Sequence, residues 1–447
     1  LKNGRVIVAD TVREENGKVR YTIGDNEYAI SRTLVESIRE GGKRPEPTTT
    51  HVATPEFIVP TPPDLLRVEQ DIISKVLPNG ALDIDALNAI EEGNNAQRSA
   101  AANYVAAHNA FDHHDYDQSL RFLERARTFL APNDMLMDDQ ASVLLHMGRN
   151  KEAVALAENA TRIAPNTAMG FTLLGYAYFY LDRSKEAASA WKRSLELQPN
   201  DQVKEMFDKV QRELVTEGGF NSEASGHFNM RFEGAAATAS LRKEILDTLE
   251  KYFNDLVRDL GYMPNERIPV ILYTEQQYFD VTRAPSWSGA LNDGKLRIPI
   301  QGITSVGTEL SRTLKHELTH SFINQMTRGR CPTWLNEGVA QMEEPRSVGG
   351  EGRQLALIYK AGRNVPLNQL EGGFTSYSGM AAAMAYLESL AAVEYIRDVY
   401  SMSSVSMVLK RIGEGMSTEA ALRAAIHSSY AELDQELGAK LVRSYGN

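Results

Sequence analysis

Two short runs, Gly148-Arg149-Asn150-Lys151-Glu152-Ala153 and Asp182-Arg183-Ser184-Lys185-Glu186-Ala187, repeat one pattern 34 residues apart. Each is followed at the same distance by a proline, Pro165 and Pro199, and Pro132 lies 33 residues before Pro165. A fixed period of this size means one supersecondary unit stacked on copies of itself, because a single unit cannot bury its own apolar face. His114-Asp115-Tyr116-Asp117-Gln118-Ser119 stands at the matching place of a first, less regular unit, so three units run from about Asn95 to Leu214. In the third unit, Gly175 and Ala187 are small and Tyr178 and Trp191 are aromatic, residue types expected where paired helices approach closely and where space between units is filled. The His113-His114 pair precedes a repeat turn and reads as a solvated loop.

The placement of Leu174-Gly175, Tyr178, Ala187, Trp191 and Pro199 resembles the tetratricopeptide repeat. That resemblance implies an all-α array over residues 95–215 and a protein-binding surface. Upstream, residues 1–40 read as a small β-rich domain. Arg5 to Val12, Val19 to Ile23 and Tyr28 to Ile30 are β-prone, Asn16-Gly17 and Gly24-Asp25-Asn26 supply turns, and Thr33 to Arg39 looks like a short helix. Residues 41–94 begin as a stiff linker, with six prolines between Gly41 and Asp64, and resume helical patterning from Leu65 to Ile90.

Beyond Gly218-Gly219 the pattern changes. His227 to Phe232, Ile268 to Tyr273 and Lys295 to Ile300 read as strands, Leu241 to Leu260 as an amphipathic helix, and the chain from Thr308 onward as mostly helical. Residues 220–447 are therefore expected to form an α+β domain. The 447 residues carry a net charge of −11, which speaks against a nucleic-acid surface built on a basic stripe. The one cysteine, Cys331, excludes an intrachain disulfide and a thiolate cluster, and reads as a small half-buried residue. No run approaches the ~18 apolar residues of a membrane span.

At the start of the helical half stands His316-Glu317-Leu318-Thr319-His320. Histidines four residues apart share one helix face and can bind one metal ion. Leu310, Leu314, Leu318, Phe322 and Met326 form an apolar stripe on that helix, and the histidines fall nearly opposite its centre. They are thus expected to face a cleft or solvent. Catalytic zinc takes three protein ligands and leaves a fourth position open. Glu337, with sixteen residues between it and His320, would return to the same ion on a second helix after a turn, and Gly338 and Ala340 are small as close packing of that helix requires.

His-Glu-x-x-His followed by Trp334-Leu335-Asn336-Glu337-Gly338-Val339-Ala340 resembles the signature of the gluzincin metallopeptidases, the thermolysin and M1 aminopeptidase clan. The shorter spacing is more similar to the compact peptidase-MA-like domains that bacteria fuse to tetratricopeptide repeats. The resemblance implies one Zn2+ held by His316, His320 and Glu337, and a proton shuttled by Glu317 from attacking water to leaving amine. Ser376-Tyr377-Ser378-Gly379-Met380-Ala381 is similar to the segment that carries the oxyanion-stabilising tyrosine, which makes Tyr377 the candidate and Tyr386 the fallback. Where the clan carries an amine-anchoring glutamate, Gly289-Ala290-Leu291-Asn292-Asp293 has Asn292, which favours an endopeptidase, with Asp293 beside it as a displaced anchor in the aminopeptidase alternative.

The fold class expected is thus multidomain: a small N-terminal β unit, an all-α repeat array and a C-terminal α+β gluzincin-like metallopeptidase domain. The function expected is zinc-dependent hydrolysis of peptides or unfolded protein, as an endopeptidase whose repeats recruit substrate or a protein partner. The alternatives are a repeat-based scaffold with a catalytically weak domain, and an aminopeptidase. Gly349-Gly350-Glu351-Gly352 lacks the Lys-Ser/Thr of a phosphate loop and reads as a flexible connection. The opening Leu1 and the similarity to exported bacterial peptidases lead to the expectation of a periplasmic or cell-surface location.

Overall fold

The computed structural model describes residues 11–15, 17–23, 26–38, 71–113, 115–234, 237–282, 291–292, 294–300, 303–374, 377 and 379–446. The chain has a small N-terminal strand unit, a long helical repeat-like array and a C-terminal helical domain with a small sheet. Contacts divide it into two compact units. One draws on Leu1–His51, Arg212–Asn254 and Asn265–Ser321, the other on Val52–Gln211, Asp255–Pro264 and Phe322–Asn447.

In the first unit, β1 (Thr11–Glu15), β2 (Lys18–Ile23) and β3 (Asn26–Ser31) form an antiparallel three-stranded sheet. Glu15 pairs with Lys18, so the first hairpin closes through two residues, one of them Gly17 at φ 73°. The first strand therefore runs on to Glu15 instead of stopping at Val12, and residues 5–10 lie outside the described residues. The helix expected at Thr33 to Arg39 is only a 3-10 turn over Arg32–Leu34. Val35 is already extended and buried, while Leu34 and Ile38 are exposed, so among the described residues the three share no buried helix face.

The same unit holds a five-stranded sheet in the order β4-β5-β6-β8-β7. Its strands are β4 (Asn221–Ala224), β5 (Phe228–Phe232), β6 (Ile268–Tyr273), β7 (Leu291–Asn292) and β8 (Leu296–Pro299). β5, β6 and β8 run parallel, and the two edges β4 and β7 run antiparallel to their neighbours. A buried ion network ties this sheet to α9 (Asp201–Glu217): Lys295 meets Glu213 at 2.9 Å, and Arg297 reaches Glu213 at 2.6 Å and the Tyr273 hydroxyl at 2.6 Å. Tyr273 in turn donates to Glu217. Removing one partner of such a network strands a charge without water, which costs about 3–5 kcal/mol.

The second unit holds the repeats. After a helix at residues 71–76 (α1) and α2 (Ile84–Glu92) come the pairs α3 (Ala96–Asp112) with α4 (Tyr116–Thr128), α5 (Asp134–His146) with α6 (Asn150–Ile163), and α7 (Ala168–Tyr180) with α8 (Ser184–Leu197). The second helices start at Tyr116, Asn150 and Ser184, each 34 residues after the last. The turns repeat too. Gly148 and Asp182 both take left-handed φ, 69° and 57°, and the following Arg149 and Arg183 amides donate to Leu144 O and Tyr178 O at 2.8 and 2.9 Å. A Cβ on Gly175 would sit 2.3 Å from the Trp191 indole, and Ala187 is fully buried, so small residues stand where the paired helices touch. Every residue of α5 from Met135 to Leu145 is buried, including Asp138 and Asp139. His113 bonds back to Asn109 O at 2.7 Å, and His114 lies outside the described residues.

Downstream in this unit come α13 (Thr333–Glu343), α14 (Gly352–Lys360), α15 (Gly379–Val399), α16 (Met402–Gly413), α17 (Thr418–Ile426) and α18 (Tyr430–Tyr445). α10 (Ala239–Leu260), α11 (Glu275–Thr282) and α12 (Thr308–Thr327) precede them in the chain. The glycine-rich run expected to be a flexible connection is a 3-10 turn over Val348–Gly350 capped by Ser347. Gly352 there packs on the Tyr445 ring, where a Cβ would come within 2.7 Å. Among the described residues no helix is long and apolar enough to cross a membrane.

Candidate metal centre

α12 is a continuous helix of 20 residues whose apolar stripe decides how it lies. Leu314, Leu318 and Phe322 are fully buried, while His316 and His320 are only half-buried, as their angular distance from the stripe requires. Their Nε2 atoms stand 3.1 Å apart, with the rings at 87°. Two nitrogens each about 2.0–2.1 Å from one tetrahedral ion stand about 3.3–3.4 Å apart, so the observed separation suits a shared zinc.

The chain then turns through Arg328 and Gly329, both at left-handed φ, 54° and 74°. Arg330 clamps the turn by donating to Gly413 O at 2.5 Å, and its guanidinium lies 4.8 Å over the Tyr116 ring. α13 follows, starting at Pro332 in the N-cap position. Trp334 anchors it, fully buried and donating from Nε1 to the Tyr430 hydroxyl at 3.1 Å. Gly338 brings its backbone onto α15: a Cβ there would lie 2.4 Å from Ser389 O. Glu337 is thereby returned to the histidines. The ligand atoms of His316, His320 and Glu337 all lie within 4.8 Å of one another, two imidazoles and a carboxylate as a catalytic zinc site requires.

Glu317 is 8% exposed, which rules out a solvated helix charge. Cys331 is half-buried, as expected; burial first and then the Glu337 carboxylate push its thiol pKa up, so it is a neutral thiol. Tyr377 is half-buried in the stretch leading into α15. Its ring stacks on Phe374 at 15° with centroids 5.8 Å apart, and Tyr386 meets the same Phe374 edge-on at 5.3 Å. The candidate tyrosine and its fallback therefore flank one phenylalanine. Ser376, Ser378 and Asp293 lie outside the described residues, as do Gly289 and Ala290. Asn292 is on β7, the sheet-edge strand, paired with Leu296 of β8.

Sequence reasoning missed two features around these residues. One is the Arg330 clamp, which bonds a residue 83 positions away and leaves no local signal. The other is the Phe374 platform, for which the aromatic spacing Phe374, Tyr377 and Tyr386 was the available hint.

Residues 250–442 match the family described as the Peptidase MA superfamily. This segment contains every candidate site residue named above. No curated protein matches the chain by sequence. Among solved structures, yeast Tom70 aligns over 78% of this chain and 89% of its own, with 10% identity and a TM-score of 0.26, too low to argue a shared fold.

Proposed function

We propose that this chain is a zinc-dependent peptidase of gluzincin type, acting as an endopeptidase on peptides or unfolded protein. The observation that carries the reading is the convergence of His316, His320 and Glu337 within 4.8 Å, beside a buried Glu317, in a segment similar to the Peptidase MA superfamily. His316, His320 and Glu337 would hold the ion. Zn2+ so held would lower the pKa of a water to about 7 and would polarise the scissile carbonyl.

The chain's own groups do the rest. Glu317, one residue after the first ligand and shielded from bulk water, accepts the proton of the attacking water and returns it to the leaving amine. The Tyr377 hydroxyl donates to the oxygen that gains negative charge as the carbonyl is attacked. Among the described residues β7 ends the sheet, a place where an extended peptide can add by main-chain hydrogen bonds. Asn292 on that strand offers no carboxylate to a free amine, which favours internal bonds over amino-terminal residues. The repeat array recruits a substrate or protein partner, and the protein acts in the periplasm or at the cell surface.

The test is metal content together with cleavage. Wild type should bind one zinc per chain, hydrolyse an unfolded protein, lose activity to a chelator and regain it with zinc. It should also cleave an amino-terminally blocked peptide. Failure to bind zinc overturns the enzymatic reading and leaves the repeats as a scaffold. Strict dependence on a free amino terminus replaces the endopeptidase with an aminopeptidase.

A further inference from the structure

One turn beyond Glu337 on α13, Gln341 is almost completely buried, at 3% exposure. Its side-chain Nε2 donates to two backbone carbonyls: Glu337 O at 3.2 Å and Tyr386 O at 2.9 Å. The first belongs to the residue placed above as the third metal ligand. The second belongs to α15, the helix that follows Tyr377. One amide thus joins the ligand-bearing turn to the tyrosine-bearing region.

The surroundings make this bridge a matter of geometry as well as of filling space. At Gly338 the backbones of α13 and α15 touch, with a hypothetical Cβ 2.4 Å from Ser389 O and 2.6 Å from Val393 Cγ2. Helices in such contact can still slide along each other, since apolar packing is non-directional. A donor shared between one carbonyl of each helix resists that sliding. From Tyr386 the contacts continue through its ring to Phe374 and from Phe374 to Tyr377. The amide therefore stands at one end of a continuous path from the Glu337 turn to Tyr377.

We propose that Gln341 is a positioning residue for the peptidase site: by bridging Glu337 O and Tyr386 O it sets the register of α13 on α15, and with it the reach of the Glu337 carboxylate and the place of Tyr377. This rests on the zinc-peptidase reading above. Gln341 touches no reacting group and takes no part in the chemistry.

Gln341→Met tests it, because methionine keeps the volume and removes both donors. The two carbonyls lose a partner, which disfavours folding only modestly, since both remain backbone acceptors within helices. Zinc affinity is read by competition with a chromophoric chelator, and turnover with an internally quenched peptide. Losing a partner behind a ligand typically lowers metal affinity about 10–100-fold. The expected result is a drop of about tenfold in zinc affinity and a lower kcat with KM little changed, while the metal-free protein melts within a few degrees of wild type. Unchanged zinc affinity and kcat, whatever the melting temperature, overturn the proposal. Should the methionine variant not fold, Gln341→Asn decides: it keeps the amide but is one methylene too short to bridge both carbonyls. Wild-type affinity and kcat in that variant also overturn it. If wild type itself binds no zinc, the peptidase reading has failed, and the melting comparison alone shows Gln341 as a packing residue.

Discussion

The repeats and the α12–α13 region use glycine in the same way and for opposite ends. In the repeats, Gly175 makes room for a side chain, the Trp191 indole 2.3 Å from where its Cβ would be. In α13, Gly338 makes room for backbone, with Ser389 O 2.4 Å away. The first contact holds two helices of a unit together and is made to a side chain, the buried Trp191 ring whose Nε1 donates to Thr172 O. The second sets the height of the helix that carries Glu337, and its nearest atom, Ser389 O, is backbone with no rotamer to turn. The contrast teaches that close packing supports stability in one region and the aim of the Glu337 carboxylate in the other.

The largest effect expected along this contrast is chemical. Glu317→Gln should lower peptide hydrolysis about 10²–10⁴-fold while zinc stoichiometry and melting temperature stay at wild-type values. Equal activity in both proteins would remove Glu317 from the mechanism. Next comes Gly338→Ala, expected to exceed the about 1–3 kcal/mol of ordinary overpacking, because backbone must move, and to weaken zinc binding with it. Denaturant unfolding and chelator competition on the same sample measure both. Gly175→Ala should stay within about 1–3 kcal/mol and leave zinc affinity untouched. If it costs more than Gly338→Ala, or loosens the metal, the distinction between the regions breaks.

The last effect is electrostatic and read against pH, in the repeats and in α15. Burial, and then Asp134, raise Asp138 of α5 to about 8. Burial likewise raises Glu388 of α15 to about 7, opposed by the Val365 amide and aided by Asp434. Each native carboxyl keeps its proton where the unfolded one has lost it, so stability falls as pH rises above about 4. The loss is complete only above about 8 for Asp138 and about 7 for Glu388. Asp138→Asn and Glu388→Gln should each flatten the decline of melting temperature across these windows, by about 2–4 °C per kcal/mol recovered. An unchanged slope in either variant would show that its carboxyl titrates normally.

Much of the site was legible because its signals are local. The four-residue spacing of His316 and His320 and the stripe Leu314, Leu318, Phe322 both follow from helical periodicity, and burial agrees with both. The strands at Phe228–Phe232, Ile268–Tyr273 and Leu296–Pro299 were expected within two residues at each end. β4 was not, since all four of its residues are exposed and no alternation marks them. The helix expected after Thr33 is one 3-10 turn, with Leu34 and Ile38 exposed and Val35 extended among the described residues. The glycines at 349–352 read as loose, yet Gly352 is pressed on a tyrosine 93 residues away.

The sequence by itself determined what repeats: the 34-residue period, the small residues at helix contacts and the two histidines on one face, all of which depend on neighbours within a few turns. Only the tertiary structure decided that Glu337 comes within 4.8 Å of both histidines, that Arg330 clamps the turn on Gly413, and that Gln341 bonds Tyr386 O. These contacts join residues whose separation in the chain carries no period. They depend on how whole helices settle against each other, and a one-dimensional pattern cannot encode that angle or that height.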